Sequence, residues 1–253
     1  TELYRHVFPV DLLQMPDCKS ANAVKLTTNV FRDINIAFIN ELSLLFEKLG
    51  IDTFKVLEAA KTKYNFQIHY PGAGVGGPCL PVNSYQMLNI AKKHTNDFKI
   101  VRVSRQVNEY MPDHVLDLVE DGFTSAKKSI QGSTVVILGI SYKPNVKDIQ
   151  LSPAEKIIEK LRQRKAIVKA YDPYYKSEKA FDLTVDSDLS TAITSADAIV
   201  LVTAHDEFIE IEPSFLVSKM NKIPIIVDSR GVIDDRAAKK AGTIFRGLGR
   251  VIS

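Results

Sequence analysis

The sequence is poor in cysteine and has no long uncharged apolar run. Its 253 residues include two cysteines, Cys18 and Cys79, which are too few and too differently placed for a disulfide framework or a zinc site. That usage favours a reducing compartment. No signal peptide is visible, and no apolar stretch is long enough to cross a membrane. These absences predict a soluble, cytoplasmic protein without a membrane partner.

A stripe of basic charge is missing as well. The chain has 33 basic and 30 acidic residues, a formal net charge of +3, and its basic side chains are scattered except in the segment 160–165. Nucleic-acid binding would require a basic stripe with aromatic platforms. We therefore expect no nucleic-acid partner.

The sequence also lacks Gly-x-Gly-x-x-Gly, the fingerprint of a turn that holds a dinucleotide pyrophosphate. Its second half nevertheless has the pattern of a doubly wound α/β domain, because short apolar runs alternate with helical stretches. The turn after the first run has a single glycine, Gly139, so tight dinucleotide binding is not expected there. The predicted strands are 134–138, 167–171, 198–203, 223–228 and 243–245.

The first half has a helical pattern instead. A long helix over 20–49 should end at Gly50, and Asp52 should cap a shorter helix that runs to about residue 63. Two further helices are predicted over 83–93 and 96–120, the second closed by Gly122 and bent or divided by Pro112. The predicted fold class is α/β, with an all-helical domain over 1–124 followed by a Rossmann-like parallel-sheet domain over 125–253.

Polar residues follow the predicted strands at the edge where α/β sheets bind ligands. Each could be an ordinary exposed loop residue, but their clustering favours contact with a polar ligand. These residues are Lys143, Asp172, His205, Asp206 and Arg230.

Residues 71–83, a run of glycines and prolines around Cys79, form the most informative segment. Such a run cannot be the interior of a helix or strand, and its four glycines would let a ligand approach the main chain. One interpretation is a rigid site for a cysteine nucleophile. The alternative is a surface loop with an incidental buried cysteine.

The predicted helix over 20–49 carries Lys25, Asn29 and Arg32 on one face, while most of its circumference is apolar. A helix with this much apolar surface should be buried on nearly all sides. A buried lysine shifts its pKa readily, which would let Lys25 assist proton transfer. Alternatively, Lys25 and Arg32 simply reach water. One small helical layer cannot cover this helix, so we expect it to pack against a second subunit in a homodimer.

Four motifs together resemble the UDP-glucose/GDP-mannose dehydrogenase family, most of all its UDP-N-acetylmannosamine dehydrogenase branch. The resemblance covers nearly the whole chain, and the motifs fall in the family's order. They are Lys25-Leu-Thr-Thr-Asn29-Val-Phe-Arg with Asn40-Glu41, Pro71-Gly-Ala-Gly-Val-Gly-Gly-Pro-Cys79, Gly139-Ile-Ser-Tyr-Lys143-Pro-Asn145 with Ser152-Pro153, and Tyr171-Asp-Pro173.

The resemblance implies a double oxidation of a sugar primary alcohol to a carboxylate, with NAD as cofactor, in nucleotide-sugar and polysaccharide biosynthesis. It implies that Cys79 attacks the intermediate aldehyde and that Lys25 and Asn29 stabilise the oxygen bearing negative charge. The candidate residues for binding the UDP-sugar substrate, which the resemblance implies or which lie near such residues in the sequence, are Arg32, His69, Tyr70, Gly74, Gly76, Gly77, Lys143 and Arg230.

The sequence departs from the family at two positions that matter for chemistry. Asn83 stands where the family usually has an aspartate, and Gln150 where an arginine would face NAD. Members of the family begin with an NAD-binding domain, and this chain is expected to hold the two domains that follow it. These departures keep a second hypothesis open, a non-catalytic nucleotide-sugar-binding or interaction module. UDP-N-acetylglucosamine and UDP-glucose are alternative substrates.

Overall fold

Helices form the first half of the chain. The computed structural model, which describes residues 2–94 and 97–251, has the four predicted helices in the order expected and, before them, a short helix that was not predicted. The last of the five is uninterrupted at Pro112. They are α1 (Glu2–Val7), α2 (Cys18–Leu49), α3 (Thr53–Ala60), α4 (Leu80–His94) and α5 (Lys99–Ser125).

A parallel sheet forms the second half, which confirms the predicted fold class. Its five strands are β1 (Thr134–Leu138), β2 (Ile167–Tyr171), β5 (Ala198–Leu201), β6 (Ile225–Asp228) and β7 (Ile244–Gly247). They pair in the order β2-β1-β5-β6-β7, and Val135 of β1 lies opposite Val168 of β2 on one side and Ala198 of β5 on the other. A small antiparallel pair, β3 (Lys179–Ala180) and β4 (Leu183–Thr184), stands apart.

Helices cover both faces of this sheet, as expected for strands that are apolar on both sides. On one face α5 and α6 (Pro153–Gln163) pack over Val135, Ile137 and Ile225. The other face is covered by α7 (Leu189–Ile193), α8 (Asp206–Ile209), α9 (Pro213–Lys219) and α10 (Asp235–Lys240). Since α5 belongs to the helical half and packs on β6 and β7, the two halves share one core.

Two helix ends follow the predicted capping chemistry. Gly50 ends α2 with a φ of +68°, the left-handed conformation that glycine adopts without steric cost. The Asp52 side chain accepts the backbone N–H of Lys55 and so begins α3.

The prediction that Gly122 ends α5 is wrong. The helix continues to Ser125, because Gly122 serves a tertiary contact instead. A Cβ at this position would meet the side chain of Ile225 at 2.7 Å, so glycine is what allows α5 to approach β6 so closely. The predicted start at Asn96 lies outside the described residues.

Within one chain, α2 is covered on one side only. Asp33, Ala37 and Asn40 are buried, but a row of large apolar side chains spaced seven residues apart is about half exposed. We call this row the apolar stripe; it consists of Val24, Phe31, Phe38 and Leu45. None of the helices in the described part of the chain is long and apolar enough to span a membrane.

Candidate active-site cleft

A cleft of about 580 Å³ lies between α2, the glycine loop and the carboxyl edge of the sheet. Eleven of the thirteen site residues predicted from the sequence line it. They are Lys25, Asn29, Arg32, His69, Tyr70, Gly74, Gly76, Gly77, Cys79, Lys143 and Arg230. Asn83 and Gln150 do not line it. Segments more than 200 residues apart in sequence thus meet in one cavity.

Cys79 lies directly before α4. Its side chain is exposed, and its carbonyl oxygen accepts the N–H of Asn83 at 2.9 Å. The 15-residue helix therefore directs the positive end of its macrodipole toward this residue, which stabilises negative charge there. The expectation, in the alternative interpretation, that this cysteine is buried is wrong, because Cys79 is exposed and lines the cleft.

Asn83 holds a neighbour of the cleft in place. Its Oδ1 accepts a hydrogen bond from Nδ2 of the buried Asn29, and its own Nδ2 donates to Gln86 at 3.0 Å. This chain of amides orients Asn29 with one Nδ2 hydrogen toward α4. Lys25 and Arg32 are exposed, so the expectation that protein encloses Lys25 is not met within one chain.

The glycines of the loop are required by protein contacts. A Cβ on Gly76 would meet the carbonyl oxygen of Leu151 at 2.4 Å, and one on Gly77 would meet the Tyr142 ring at 2.6 Å. The N–H of Gly77 donates to the carbonyl of Gln150 at 2.9 Å, so it is not free for a ligand. The loop therefore packs tightly on the segment 142–151, which brings Lys143 to the cleft.

Arg230 closes the other side of the same loop. Its guanidinium lies over Gly72, where a Cβ would come within 2.1 Å of Nη1, and it approaches the carbonyl of Pro71 at 3.4 Å. Burial lowers the pKa of Arg230 and outweighs the opposite influence of Asp228. Arg230 is thus a cation held close to the loop.

Tyr70 and His69 have protein partners of their own. The hydroxyl of Tyr70 donates to Glu58 at 2.9 Å, and this hydrogen bond to a carboxylate raises the pKa of Tyr70. His69 Nδ1 lies 3.1 Å from the carbonyl of Gln67, and its ring stands edge-on to Phe31.

A buried polar network behind the loop was missed by sequence reasoning. The Asp33 carboxylate accepts hydrogen bonds from Ser84, Arg105 and Asn108 at 2.6 to 2.9 Å. Asn108 accepts from Asn40, whose Oδ1 accepts the N–H of Gly72, both at 2.9 Å. The one signal of this network in the sequence is the pair Asp33 and Asn40, two polar residues seven positions apart on the otherwise apolar α2.

A carboxylate fills the first turn of the sheet. Asp172 Oδ2 accepts the N–H groups of Ile140 at 2.8 Å and Ser141 at 3.1 Å, and Oδ1 accepts that of Tyr174 at 2.9 Å. Burial raises the pKa of Asp172, but hydrogen bonds, first among them that of His205, outweigh it and hold the pKa below its ordinary value. The N–H groups that would hold a pyrophosphate are therefore occupied, and this turn does not fit NAD.

Among the described residues, no group of three or more histidine, cysteine, aspartate or glutamate side chains is arranged to hold a metal ion.

Two models of one protein family match the chain. The model for the family's central domain matches residues 19–110, and the model for its UDP-binding domain matches residues 136–235. The chain belongs to the UDP-glucose/GDP-mannose dehydrogenase family. The second match covers β2, β5 and β6 in full and the last three residues of β1, and the first covers the elements that carry Lys25, Asn29 and Cys79.

Relatives and solved structures agree with that assignment. The UDP-N-acetyl-D-mannosamine dehydrogenase of Pyrococcus horikoshii is 36% identical over 249 residues, which are 98% of this chain and 56% of the relative. A solved structure of UDP-D-ManNAc dehydrogenase from that organism has a TM-score of 0.82 at 36% identity and covers 92% of this chain and 53% of its own. The NDP-N-acetyl-D-galactosaminuronic acid dehydrogenase of Methanosarcina mazei Go1 has a TM-score of 0.86 at 27% identity, with coverages of 92% and 51%. The chain spans about half the length of the curated relatives it matches.

Proposed function

We propose that this chain is the substrate-binding part of an NAD-dependent nucleotide-sugar 6-dehydrogenase that oxidises UDP-N-acetyl-D-mannosamine. The observation that carries the proposal is the cleft in which the exposed Cys79 meets Lys25 and Asn29 beside a UDP-binding domain. Relatives named UDP-N-acetyl-D-mannosamine dehydrogenase support this sugar. UDP-N-acetylglucosamine and UDP-glucose are the alternatives.

In the proposed reaction, Cys79 is the nucleophile toward the C6 aldehyde left by the first oxidation of the alcohol. The thiolate sulfur bonds to the aldehyde carbon while the carbonyl π pair moves to the oxygen, which gives a thiohemiacetal oxyanion. Lys25 and the remaining Nδ2 hydrogen of Asn29 supply donors to that oxygen. Asn83 takes the place of a base by position only, since an amide cannot accept the thiol proton; its part is to orient Asn29.

The nucleotide half of the substrate is assigned to the edge of the sheet. Lys143 follows β1 and Arg230 follows β6, so both cations stand at the carboxyl edge of the parallel sheet, on the two sides of β5, where α/β sheets bind ligands. Two cations in one cleft suit the negative charge of a diphosphate.

NAD is proposed to bind outside the described residues. The dehydrogenase chemistry requires a hydride acceptor, and NAD supplies that role in the family that the chain resembles. The turn after β1 offers it no free N–H groups because Asp172 accepts them. We expect these 253 residues by themselves to bind the UDP-sugar and to reduce no NAD.

The protein is proposed to form a homodimer through α2. The apolar stripe borders a groove of about 490 Å³ between α2 and α5, which is lined by Ile34, Phe38, Ile100 and Val103 among others. Large exposed apolar surface of this kind marks an interface, and a symmetric dimer would let α2 cover its own copy.

A non-catalytic nucleotide-sugar-binding module is the second candidate. The observation that favours it is Asn83, whose amide occupies the place of a family carboxylate and is already hydrogen-bonded on both sides. This candidate keeps the binding site and the dimer but assigns no chemistry to Cys79.

Calorimetric titration of the chain with UDP-N-acetyl-D-mannosamine tests the binding role. Binding that is weakened at least about tenfold by Arg230→Ala, with no NADH formed on addition of NAD, is the expected result. Absence of binding, or NADH formation by these 253 residues, would contradict the proposal. Competition with GDP-mannose, UDP-glucose and UDP-N-acetylglucosamine ranks the possible substrates.

A further inference from the structure

His205 is a buried histidine with a defined tautomer. It is 1% exposed, its Nε2 lies 3.0 Å from Oδ2 of Asp172, and its Nδ1 lies 3.0 Å from the backbone nitrogen of Asn145. A backbone N–H can only donate, so Nδ1 is the acceptor and carries no proton. The proton of the neutral ring is therefore on Nε2 and is donated to Asp172.

The hydrogen bond to Asn145 holds a segment of the cleft in place. This segment consists of residues 142–145, and we call it the Lys143 segment. Tyr142, Lys143 and Pro144 line the cleft immediately before Asn145, which adopts a left-handed φ of +59°. Asn145 Oδ1 accepts the N–H of Asp206 at 3.2 Å. Two hydrogen bonds thus tie the end of the Lys143 segment to the start of α8.

We propose that His205 is a positioning residue for Lys143 and that uptake of a second proton by its ring releases the Lys143 segment and weakens nucleotide-sugar binding. A proton on Nδ1 would face the Asn145 N–H, so two donors would oppose each other and one of them must move. This inference rests on the proposed function only in its use of a nucleotide sugar as the probe.

The direction of the pH effect follows from this geometry. The arrangement that holds Lys143 needs the neutral ring, so affinity is full at the alkaline end and falls as the pH decreases through the range in which histidine takes up a proton. Asp172 faces the ring from the opposite side at Nε2, and the other titratable or charged groups nearby are Tyr171, Tyr174, Asp206 and Glu207. The Asn145 contact couples the protonation state of the ring to the cleft.

Two substitutions separate the two nitrogens of the ring. In His205→Asn, Oδ1 can replace Nδ1 as the acceptor for Asn145 but does not titrate. In His205→Gln, the longer amide can donate to Asp172 in place of Nε2 but offers Asn145 no acceptor at the Nδ1 position. His205→Asn therefore keeps the hydrogen bond to Asn145 but has no ring that takes up a proton, and His205→Gln loses the hydrogen bond to Asn145.

The test is titration with UDP-N-acetylglucosamine or UDP-N-acetyl-D-mannosamine at about pH 8 and about pH 5.5. These esterified diphosphates have no terminal phosphate that titrates in this range. The wild-type affinity should fall about fivefold or more at the lower pH, since one lost hydrogen bond has about that effect. His205→Asn should bind within about threefold of wild type at both pH values, and His205→Gln should bind weakly at both.

Two other histidines serve as comparisons. His114 also pairs with a buried carboxylate, Glu47, but lies away from the cleft, so His114→Gln should retain the pH dependence. His69 lines the cleft, and a pH dependence that is lost in His69→Gln and kept in His205→Asn would overturn the inference.

Nuclear magnetic resonance tests the inference even if no nucleotide sugar binds. The imidazole nitrogens of His205 should show the Nε2–H tautomer at about pH 8, and the Asn145 amide signal should shift as His205 titrates. Failure of the sugars to bind would contradict the proposed function alone. A His205 ring with its proton on Nδ1, or an Asn145 amide insensitive to its titration, would overturn this inference.

Discussion

Substitution of Gly77 by alanine tests the tight packing between the glycine loop and the segment that carries Lys143. Gly77 has a φ of +86°, and a Cβ there would lie 2.6 Å from the Tyr142 ring. Ordinary carbon contacts are about 3.5–4.0 Å, so the ring or the loop must move by about 1 Å. Gly132 is a matched control, because its φ is +81° and a Cβ there meets nothing within 4 Å.

The two variants share the backbone strain and differ in the collision. Gly132→Ala should cost about 1–2 kcal/mol of unfolding free energy from the left-handed conformation alone. Gly77→Ala should add about 1–3 kcal/mol for overpacking against Tyr142. Thermal unfolding followed by circular dichroism measures the difference, since 1 kcal/mol lowers the Tm by about 2–4 °C in a chain of this size.

Ligand affinity gives the second measurement on the same pair. Displacement of Tyr142 also displaces Lys143, so Gly77→Ala should weaken UDP-N-acetyl-D-mannosamine binding about tenfold. Gly132, in the turn before β1, lies outside the cleft and should leave affinity unchanged. Equal losses of Tm in the two variants, or an unchanged affinity in Gly77→Ala, would refute the packing argument.

Two further predictions concern the buried network and the apolar stripe. Asp33→Ala should lower the unfolding free energy by about 3–5 kcal/mol, because it leaves the buried Arg105 without its closest carboxylate. Ser84→Ala removes one hydroxyl that donates to the same carboxylate, and it should lower the unfolding free energy by about 1 kcal/mol; urea unfolding measures both. Phe38→Asp, on a side chain that is 53% exposed, should raise the dimer dissociation constant at least about tenfold in light scattering, since a charge would enter the apolar contact. Tyr64→Asp, on an exposed ring beyond α3, should not change it, and equal effects of Phe38→Asp and Tyr64→Asp would argue against the α2 interface.

Local signals in the sequence predicted the elements well. The αL glycine at position 50 and the capping Asp52 set two helix ends because both act through bonds to residues within one turn. Apolar runs bounded by turns located the five strands, since strands buried on both faces are apolar throughout. The parallel order of the sheet then brought Lys143 and Arg230 to one edge.

Tertiary contacts account for what the sequence did not predict. Gly122 fits the sequence pattern of a helix end, but its role is to let α5 approach Ile225, about one hundred positions later in the chain. Asp33 and Asn108 are 75 residues apart, and the polar pattern of α2 alone does not say which helix pairs with it. The roles of Asp172 and His205 likewise depend on which turn each side chain enters, so strand-end position indicated a ligand site where the structure has an internal hydrogen-bonded pair.

Protection of Cys79 from alkylation tests the central claim most directly. Cys18 is the internal control, because it is also exposed and lies at the start of a helix but does not line the cleft. The chain is treated with iodoacetamide with and without UDP-N-acetyl-D-mannosamine at ten times its Kd, and both cysteines are followed by peptide mass spectrometry. The account predicts that the sugar nucleotide slows alkylation of Cys79 about tenfold, as expected from the fraction of occupied sites, and leaves Cys18 unchanged. Alkylation of Cys79 at the same rate with saturating ligand bound would contradict the placement of the sugar against this cysteine.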